Sequence, residues 1–224
     1  MDRLSTPEIL AAVAGDLGDW RKLAQPIAAR YRPADAVGGA AFVGAVVQAA
    51  VAVGRCVPEV RLGDGFVDVV VFTVDDTNGA RWVTAADLEF ARTVSGLARE
   101  RGLTAVPGQV AQVELALDAA DEGAVGPFWS ALLTGEPGNT VYGTVFDPTS
   151  RVPSVWFQRT GPHPVPRQRW HFDLWLAPEV ADERIAAAVA AGGSVVDDAG
   201  APAFTVLADP EGNKVCVCTA LERD

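Results

Sequence analysis

The stretch Arg169-Trp170-His171-Phe172-Asp173-Leu174-Trp175-Leu176 decides how the second half of this chain is read. Successive side chains of a β-strand point to opposite faces. Arg169, His171, Asp173 and Trp175 therefore share one face, and Trp170, Phe172, Leu174 and Leu176 share the other. A polar, aromatic surface is set against an apolar one. Residues 110–118 alternate in the same way, with Ala111, Val113, Leu115 and Leu117 against Gln112, Glu114, Ala116 and Asp118. Each of these strands opens a similar series. Behind the first come a helix containing residues 128–133 and strands over 139–146 and 154–160. Behind the second, which begins at Gln168, come a helix over 181–191 and strands near 194–196, 204–208 and 214–219. Two strand-helix-strands modules in succession predict a paired βαβββ arrangement.

The first half has a different rhythm. Ser5-Thr6-Pro7-Glu8 has the form of a capped helix start with proline early in the first turn, and the helix is expected to run to about residue 14. Short strands are expected over 20–26 and 27–32, followed by a long apolar helix ending near Gly54. Residues 58–62 and 66–74 read as strands joined by the turn Gly63-Asp64-Gly65. The β-branched run of the second suggests a buried central strand. Residues 84–101 form an amphipathic helix, with Leu88, Ala91, Val94, Leu97 and Ala98 at helical spacing and Gly102 as its stop. Between 102 and 109 periodicity is lost and Gly and Pro accumulate, which places a domain boundary there. The expected fold class is α+β, with one domain over 1–104 and a second over 109–224.

Composition narrows the partners. The chain has 224 residues and a net charge of -11, so a phosphate backbone, which is bound by clustered Lys and Arg, is not an expected partner. The 21% of charged residues is that of an ordinary folded domain. Residues 36–54 carry no charge and approach the roughly 20 residues a membrane span needs. They are rich in Ala and Gly and lack Leu and Ile, so a buried helix is expected and no membrane association. Cys56, Cys216 and Cys218 make no even disulfide framework, and no charged, then apolar leader opens the chain. A reducing cytoplasm is the expected location.

In residues 20–98 an early Trp20, a helix with Ala41-Phe42-Val43, a Pro58-Glu59-Val60 segment, a buried strand and the helix start Thr84-Ala85-Ala86-Asp87-Leu88 follow in order. This resembles the pterin-4a-carbinolamine dehydratases, which implies an N-terminal α/β sandwich. In that family a His-His-Pro and a Thr-His-Asp motif supply the acid and base that expel water. Here the matching residues are Cys56-Val57-Pro58 and Thr73-Val74-Asp75. All three imidazoles are absent, and valine cannot move a proton. A surviving dehydratase would have to use Cys56, Glu59 and Asp75. The alternative is a retained scaffold, with Cys56 a small buried residue at a helix end and Asp75 and Asp76 solvating a turn.

In the second half, Phe128-Trp129 in the helix after Asp121, Trp156-Phe157-Gln158, the 169–174 strand and Asp209-Pro210-Glu211-Gly212-Asn213 look like the glyoxalase-like branch of the vicinal-oxygen-chelate superfamily. The resemblance implies modules curved around one cavity and, in the enzymes, a divalent metal acting as a Lewis acid. It places ligand positions at Glu114, Gln158, His171 and Cys216. Glu114 and His171 are the convincing metal ligands, and two seldom suffice where about 3 or 4 are the rule. A metal is thus possible without being favoured.

For the 169–175 face two readings stand. One is a cavity floor, where Arg169 offers a forked donor to a carboxylate, His171 titrates or coordinates, Asp173 is a further ligand-binding residue, and Trp156 and Trp175 are flat apolar walls. The other is an internal Arg169–Asp173 pair with His171 satisfied by a neighbour. Cys216 and Cys218, two apart on a strand, would make a soft zinc site with His171 and Glu114, or else fill a β core. His163 reads as a loop residue and 209–213 as a tight turn. The functional expectation is a small-molecule binding protein. The alternatives are a superfamily lyase, isomerase or dioxygenase using Glu114 and His171, and a residual 4a-hydroxytetrahydrobiopterin dehydratase. Relatives of both domains pair through sheet edges or helices, so a homodimer is expected.

Overall fold

The computed structural model describes residues 2–134, 136–161, 170–190, 193–208 and 214–223. The chain separates into two compact units, one of 1–76, 80–110 and 222–224 and the other of 77–79 and 111–221. Among the described residues no helix is long and apolar enough to cross a membrane.

The first unit runs α1 (Thr6–Gly15), β1 (Trp20–Lys22), β2 (Ile27–Arg32), α2 (Ala36–Ala52), β3 (Glu59–Gly63), β4 (Phe66–Val71), β5 (Thr73–Val74), β6 (Arg81–Trp82), α3 (Ala85–Glu100) and β7 (Thr104–Ala105). Ser5 and Glu8 form the capping box of α1, Asp35 caps α2, and Thr84 with Asp87 forms the capping box of α3. The main sheet is antiparallel with strand order β1-β2-β4-β3, and β7 adds to β2. Its core gathers Trp20, Tyr31, Phe42, Val69, Leu88 and Val94. At its centre the Ser95 hydroxyl accepts the Trp20 indole N–H at 3.0 Å and lies 3.2 Å from the Tyr31 hydroxyl, so these polar atoms are partnered inside the core.

Three expectations need correction here. Residues 66–74 are not one strand, because the chain leaves the main sheet after Val71, and β5 pairs with β6 instead. Nor is β4 buried on both faces. Val67, Val69 and Val71 are buried while Phe66, Asp68 and Val70 are half-buried, so its β-branched run serves a sheet covered more heavily on one side. Cys56 is exposed rather than buried.

The second unit runs β8 (Ala111–Ala119), α4 (Glu122–Thr134), β9 (Thr140–Val141), β10 (Thr144–Val145), β11 (Val155–Arg159), β12 (Trp170–Leu176), α5 (Pro178–Ala190), β13 (Ser194–Asp197), β14 (Phe204–Ala208) and β15 (Lys214–Cys218). Residues 139–146, expected as one strand, are a hairpin. Its turn is Tyr142-Gly143, both at positive φ, 50° and 80°. All eight strands form one sheet in the order β13-β14-β15-β12-β8-β11-β10-β9. In each module the first strand pairs parallel with the last, β8 with β11 and β12 with β15, and the two first strands meet antiparallel in the middle. The two halves of the sheet thus repeat one pattern about the β8–β12 seam.

One face of this sheet is apolar and covered by the helices. Leu117, Val145 and Val155 gather Trp129 and Trp170, while Leu176, Leu207 and Val217 gather Ala181 and Ile185 of α5. Phe172 lies on this face yet is 55% exposed. The opposite face carries the polar residues of the alternating strands.

The loop from β10 into β11 is tied by Asp147. Its carboxylate accepts the Thr149 N–H at 2.8 Å, the Thr149 hydroxyl at 2.7 Å and the Arg151 N–H at 2.9 Å. Burial pushes this carboxyl upward, but the hydrogen bonds outweigh it and hold it at about 2, against an ordinary 3.8. A depressed folded-state value means that the stabilisation is complete above 3.8 and is lost as pH falls through about 2. The stability difference between the wild type and Asp147→Asn in urea titrations should therefore be largest above that window and shrink within it. A pH-independent difference would contradict the assignment.

Candidate functional site

Register decides which polar side chains meet. Glu114 of β8 stands directly opposite Asp173 of β12, and Asp173 stands beside Cys216 of β15. On the other side of β8, Trp156 of β11 pairs with Ala116, and so does His171 of β12. Because Ala116 is small, the rings of Trp156 and His171 meet edge to face, with centroids 5.5 Å apart. Glu114, Trp156, His171, Asp173, Trp175 and Cys216 therefore all belong to one face.

Both carboxyls are deeply placed, Glu114 at 8% and Asp173 at 7% exposure. Burying such groups is costly unless they are hydrogen-bonded. Each is held by an indole from the opposite module. Trp156 donates its ring N–H to Asp173 Oδ2 at 2.7 Å, and Trp175 donates to Glu114 Oε2 at 3.1 Å. The Ser154 hydroxyl donates to Glu114 Oε1 at 2.8 Å. In the repeat pattern Ser154, one residue before β11, stands to Glu114 as Cys216 of β15 stands to Asp173.

The remaining oxygen of Asp173, Oδ1, lies 3.5 Å from His171 Nε2. His171, Asp173 and Cys216 each bring a ligand atom within 4.8 Å of the other two. Burial, foremost, raises the Asp173 carboxyl above the ordinary aspartate value. The Trp156 hydrogen bond, His171 and the Cys216 thiol pull it back, while Glu114 adds to the rise.

The sequence-derived residues separate on this geometry. His171, Asp173 and Cys216 come together, with Glu114 across the seam. Trp156 and Trp175 act as hydrogen-bond donors as well as apolar surface. Gln158 is exposed and lies opposite Asp118, near the strand end, and Cys218 is buried on β15 without belonging to the three-residue cluster. Arg169, Gln168, His163 and the 209–213 turn lie outside the described residues. Ser154 was not singled out from sequence, because nothing local marks a serine just before a strand as the partner of a residue forty positions earlier.

In the first unit, Cys56, Val57 and Val74 are exposed, Pro58 is buried, and the half-buried Asp75 donates its backbone N–H to the Ala80 carbonyl at 2.7 Å. The buried polar centre near these positions is Asp87. It accepts from Arg55 at 2.8 Å and from the Thr73 hydroxyl at 2.9 Å. Val57, Pro58 and Val74 carry no side-chain group that can donate or accept a proton.

A sheet of two βαβββ modules joined through their first strands, with polar side chains gathered at the seam, defines a class of paired-module domain. Residues 114–218 match the family model described as a glyoxalase-like domain, so the chain carries such a domain there. The match does not reach the first unit. A search of curated proteins found none that matches the chain.

Proposed function

We propose that the second unit is the working part of the chain and binds a small organic molecule on the polar face of its sheet. The first unit is then a pterin-dehydratase-like scaffold without dehydratase chemistry. What carries this reading is the pair Glu114 and Asp173, more than nine-tenths buried, face to face across the seam and each fixed by an indole of the other module. A sheet face that serves only as packing is made of apolar side chains. One that holds two carboxyls in fixed orientation is organised for recognition.

Native mass spectrometry of freshly purified full-length protein tests it. The expected spectrum shows an organic molecule retained by the wild type and lost from Asp173→Ala, and it also reports whether the chain is the homodimer we propose. A wild type that carries nothing and takes up nothing from a small-molecule library would count against binding.

A second reading, an enzyme of the vicinal-oxygen-chelate type, is favoured by the approach of His171, Asp173 and Cys216 to within 4.8 Å. A nitrogen, an oxygen and a sulfur donor at that spacing fit a divalent ion, and Glu114 would stand across from it as a proton acceptor. Such an ion would supply Lewis-acid polarisation of a substrate oxygen. On either reading the intact chain is expected not to dehydrate a pterin carbinolamine.

A further inference from the structure

We propose that the open edge of β3 is the surface on which a second copy of the chain docks, strand against strand and antiparallel about Val60. The inference gives the homodimer its surface and is independent of what the second unit binds.

β3 ends the first unit's main sheet, with β4 on one side and no strand on the other. Register shows which of its backbone groups are open. The Arg30 carbonyl accepts the Val106 N–H at 2.8 Å, so residues 28, 30 and 32 of β2 turn their backbone groups away from β4. In an antiparallel ladder, pairs that exchange hydrogen bonds alternate with pairs that do not. Ile27, Ala29 and Tyr31 therefore bond to Val71, Val69 and Val67, which leaves Asp68 and Val70 to bond to Arg61 and Glu59. The N–H and C=O groups of Val60 and Leu62 then point out of the sheet. Such an edge is a template for another strand.

Charge selects both partner and register. Glu59 and Arg61 share the outer face of the sheet, while Val60 packs on the core. Asp68 stands directly opposite Arg61, but the Arg30 guanidinium takes it, with Nη2 2.7 Å from Oδ2. Among the described residues Arg61 has no carboxylate partner and lies over the Phe66 ring at 5.2 Å. Glu59 meets Arg81 at 3.1 Å and is still 38% exposed, so it can receive a second cation.

A two-fold axis perpendicular to the sheet keeps each face on its own side, so residues opposite one another share parity. A pairing centred on Arg61 sets two guanidiniums together, one centred on Glu59 sets two carboxylates together, and one centred on Leu62 sets Arg61 against the partner's Gly63. Centred on Val60, the pairing sets Glu59 against the partner's Arg61 and Arg61 against the partner's Glu59. Opposite charges directly across a strand pair attract, and like charges repel. Pro58 has no N–H to offer, but in this register its carbonyl meets the N–H of the partner's Leu62. Leu62 is 45% exposed and gains an apolar neighbour. α2, whose Gly39 abuts Leu62, carries no charge along its 17 residues, so nothing on that side repels a second copy. β3 has 5 residues, and an interface built on so short an edge should dissociate on dilution.

Full-length protein followed by sedimentation velocity and residue-resolved amide exchange over a dilution series tests this. The expected result is a monomer–dimer equilibrium in which the Val60 and Leu62 amides slow as the protein is concentrated, while those of Glu59 and Arg61, already bonded to β4, change little. Arg61→Glu and Glu59→Arg should each raise the dimer dissociation constant about 10-fold or more, and an equimolar mixture of the two variants should regain association as a heterodimer. A chain that stays monomeric at every concentration would overturn the proposal. So would a dimer whose Val60 and Leu62 amides ignore concentration, or one that Arg61→Glu leaves intact. Ligand retention by the second unit is read separately in native mass spectra, so failure of one reading is distinguishable from failure of the other.

Discussion

Replacing Asp87 by alanine is expected to destabilise the first unit by about 3–5 kcal/mol, the range for breaking a buried ion pair from one side. Asp87 is fully buried. One oxygen accepts from the Arg55 guanidinium at 2.8 Å. The other accepts the Thr84 N–H at 2.8 Å and the hydroxyls of Thr84 and Thr73, each at 2.9 Å. Arg55 also lies over the Phe90 ring at 4.3 Å, so its charge is shielded from water on that side. Removing the carboxylate orphans the start of α3 and a hydroxyl from β5, and leaves the Arg55 guanidinium without its counter-charge. Peptide-resolved hydrogen exchange on the full chain should show α3 and β5 losing protection, with Asp87→Asn falling between the wild type and alanine. A loss below about 1 kcal/mol would mean that the pair behaves as a solvent-screened one.

Glu114→Ala should have the next largest effect, centred on β8 and β12. The carboxyl takes up the Trp175 indole N–H and the Ser154 hydroxyl, both of them buried donors. Each donor left without an acceptor costs about 1–3 kcal/mol. Glu114→Gln keeps one acceptor oxygen and turns its amide nitrogen toward the other donor, so it should cost about half as much as alanine if the two contacts contribute equally. The check is exchange protection in β8 and β12, together with the emission of Trp175 compared in the two variants. Unchanged protection in Glu114→Ala would show that the crossed indole contacts do not hold the seam.

What could be read from sequence was whatever follows from period. The alternation of 110–118 and 170–176 put Glu114 on one face and His171 and Asp173 on another strand's matching face, and both strands formed with those faces. Parity says which side a residue takes but not which strand lies next to it. That Trp156 reaches Asp173 and Trp175 reaches Glu114 depends on β8 lying between β11 and β12, a long-range pairing that no local pattern encodes. Breaks without breaker residues were also hidden. Nothing around Phe72 interrupts the β-branched run, and Tyr142 is not a usual turn residue, yet the chain turns at both places. Conversely, Thr104 and Ala105 sit among Gly and Pro and still add a strand to β2, because the edge of β2 had donors and acceptors to satisfy. Cys56 was expected in a core from its residue type, but it falls after the last turn of α2, where the chain emerges into solvent.

The chain has two histidines, His163 and His171, and this makes one measurement decisive. Histidine-selective nitrogen-15 spectra can be compared between freshly purified protein and protein freed of bound small molecules and metal by unfolding, dialysis against a chelator and refolding, with His171→Asn assigning the signals. If the seam of the second unit is where this protein holds its ligand, the His171 ring resonances shift on stripping while those of His163 stay in place. If the His171 resonances superimpose in the two samples, or only those of His163 move, the site lies elsewhere.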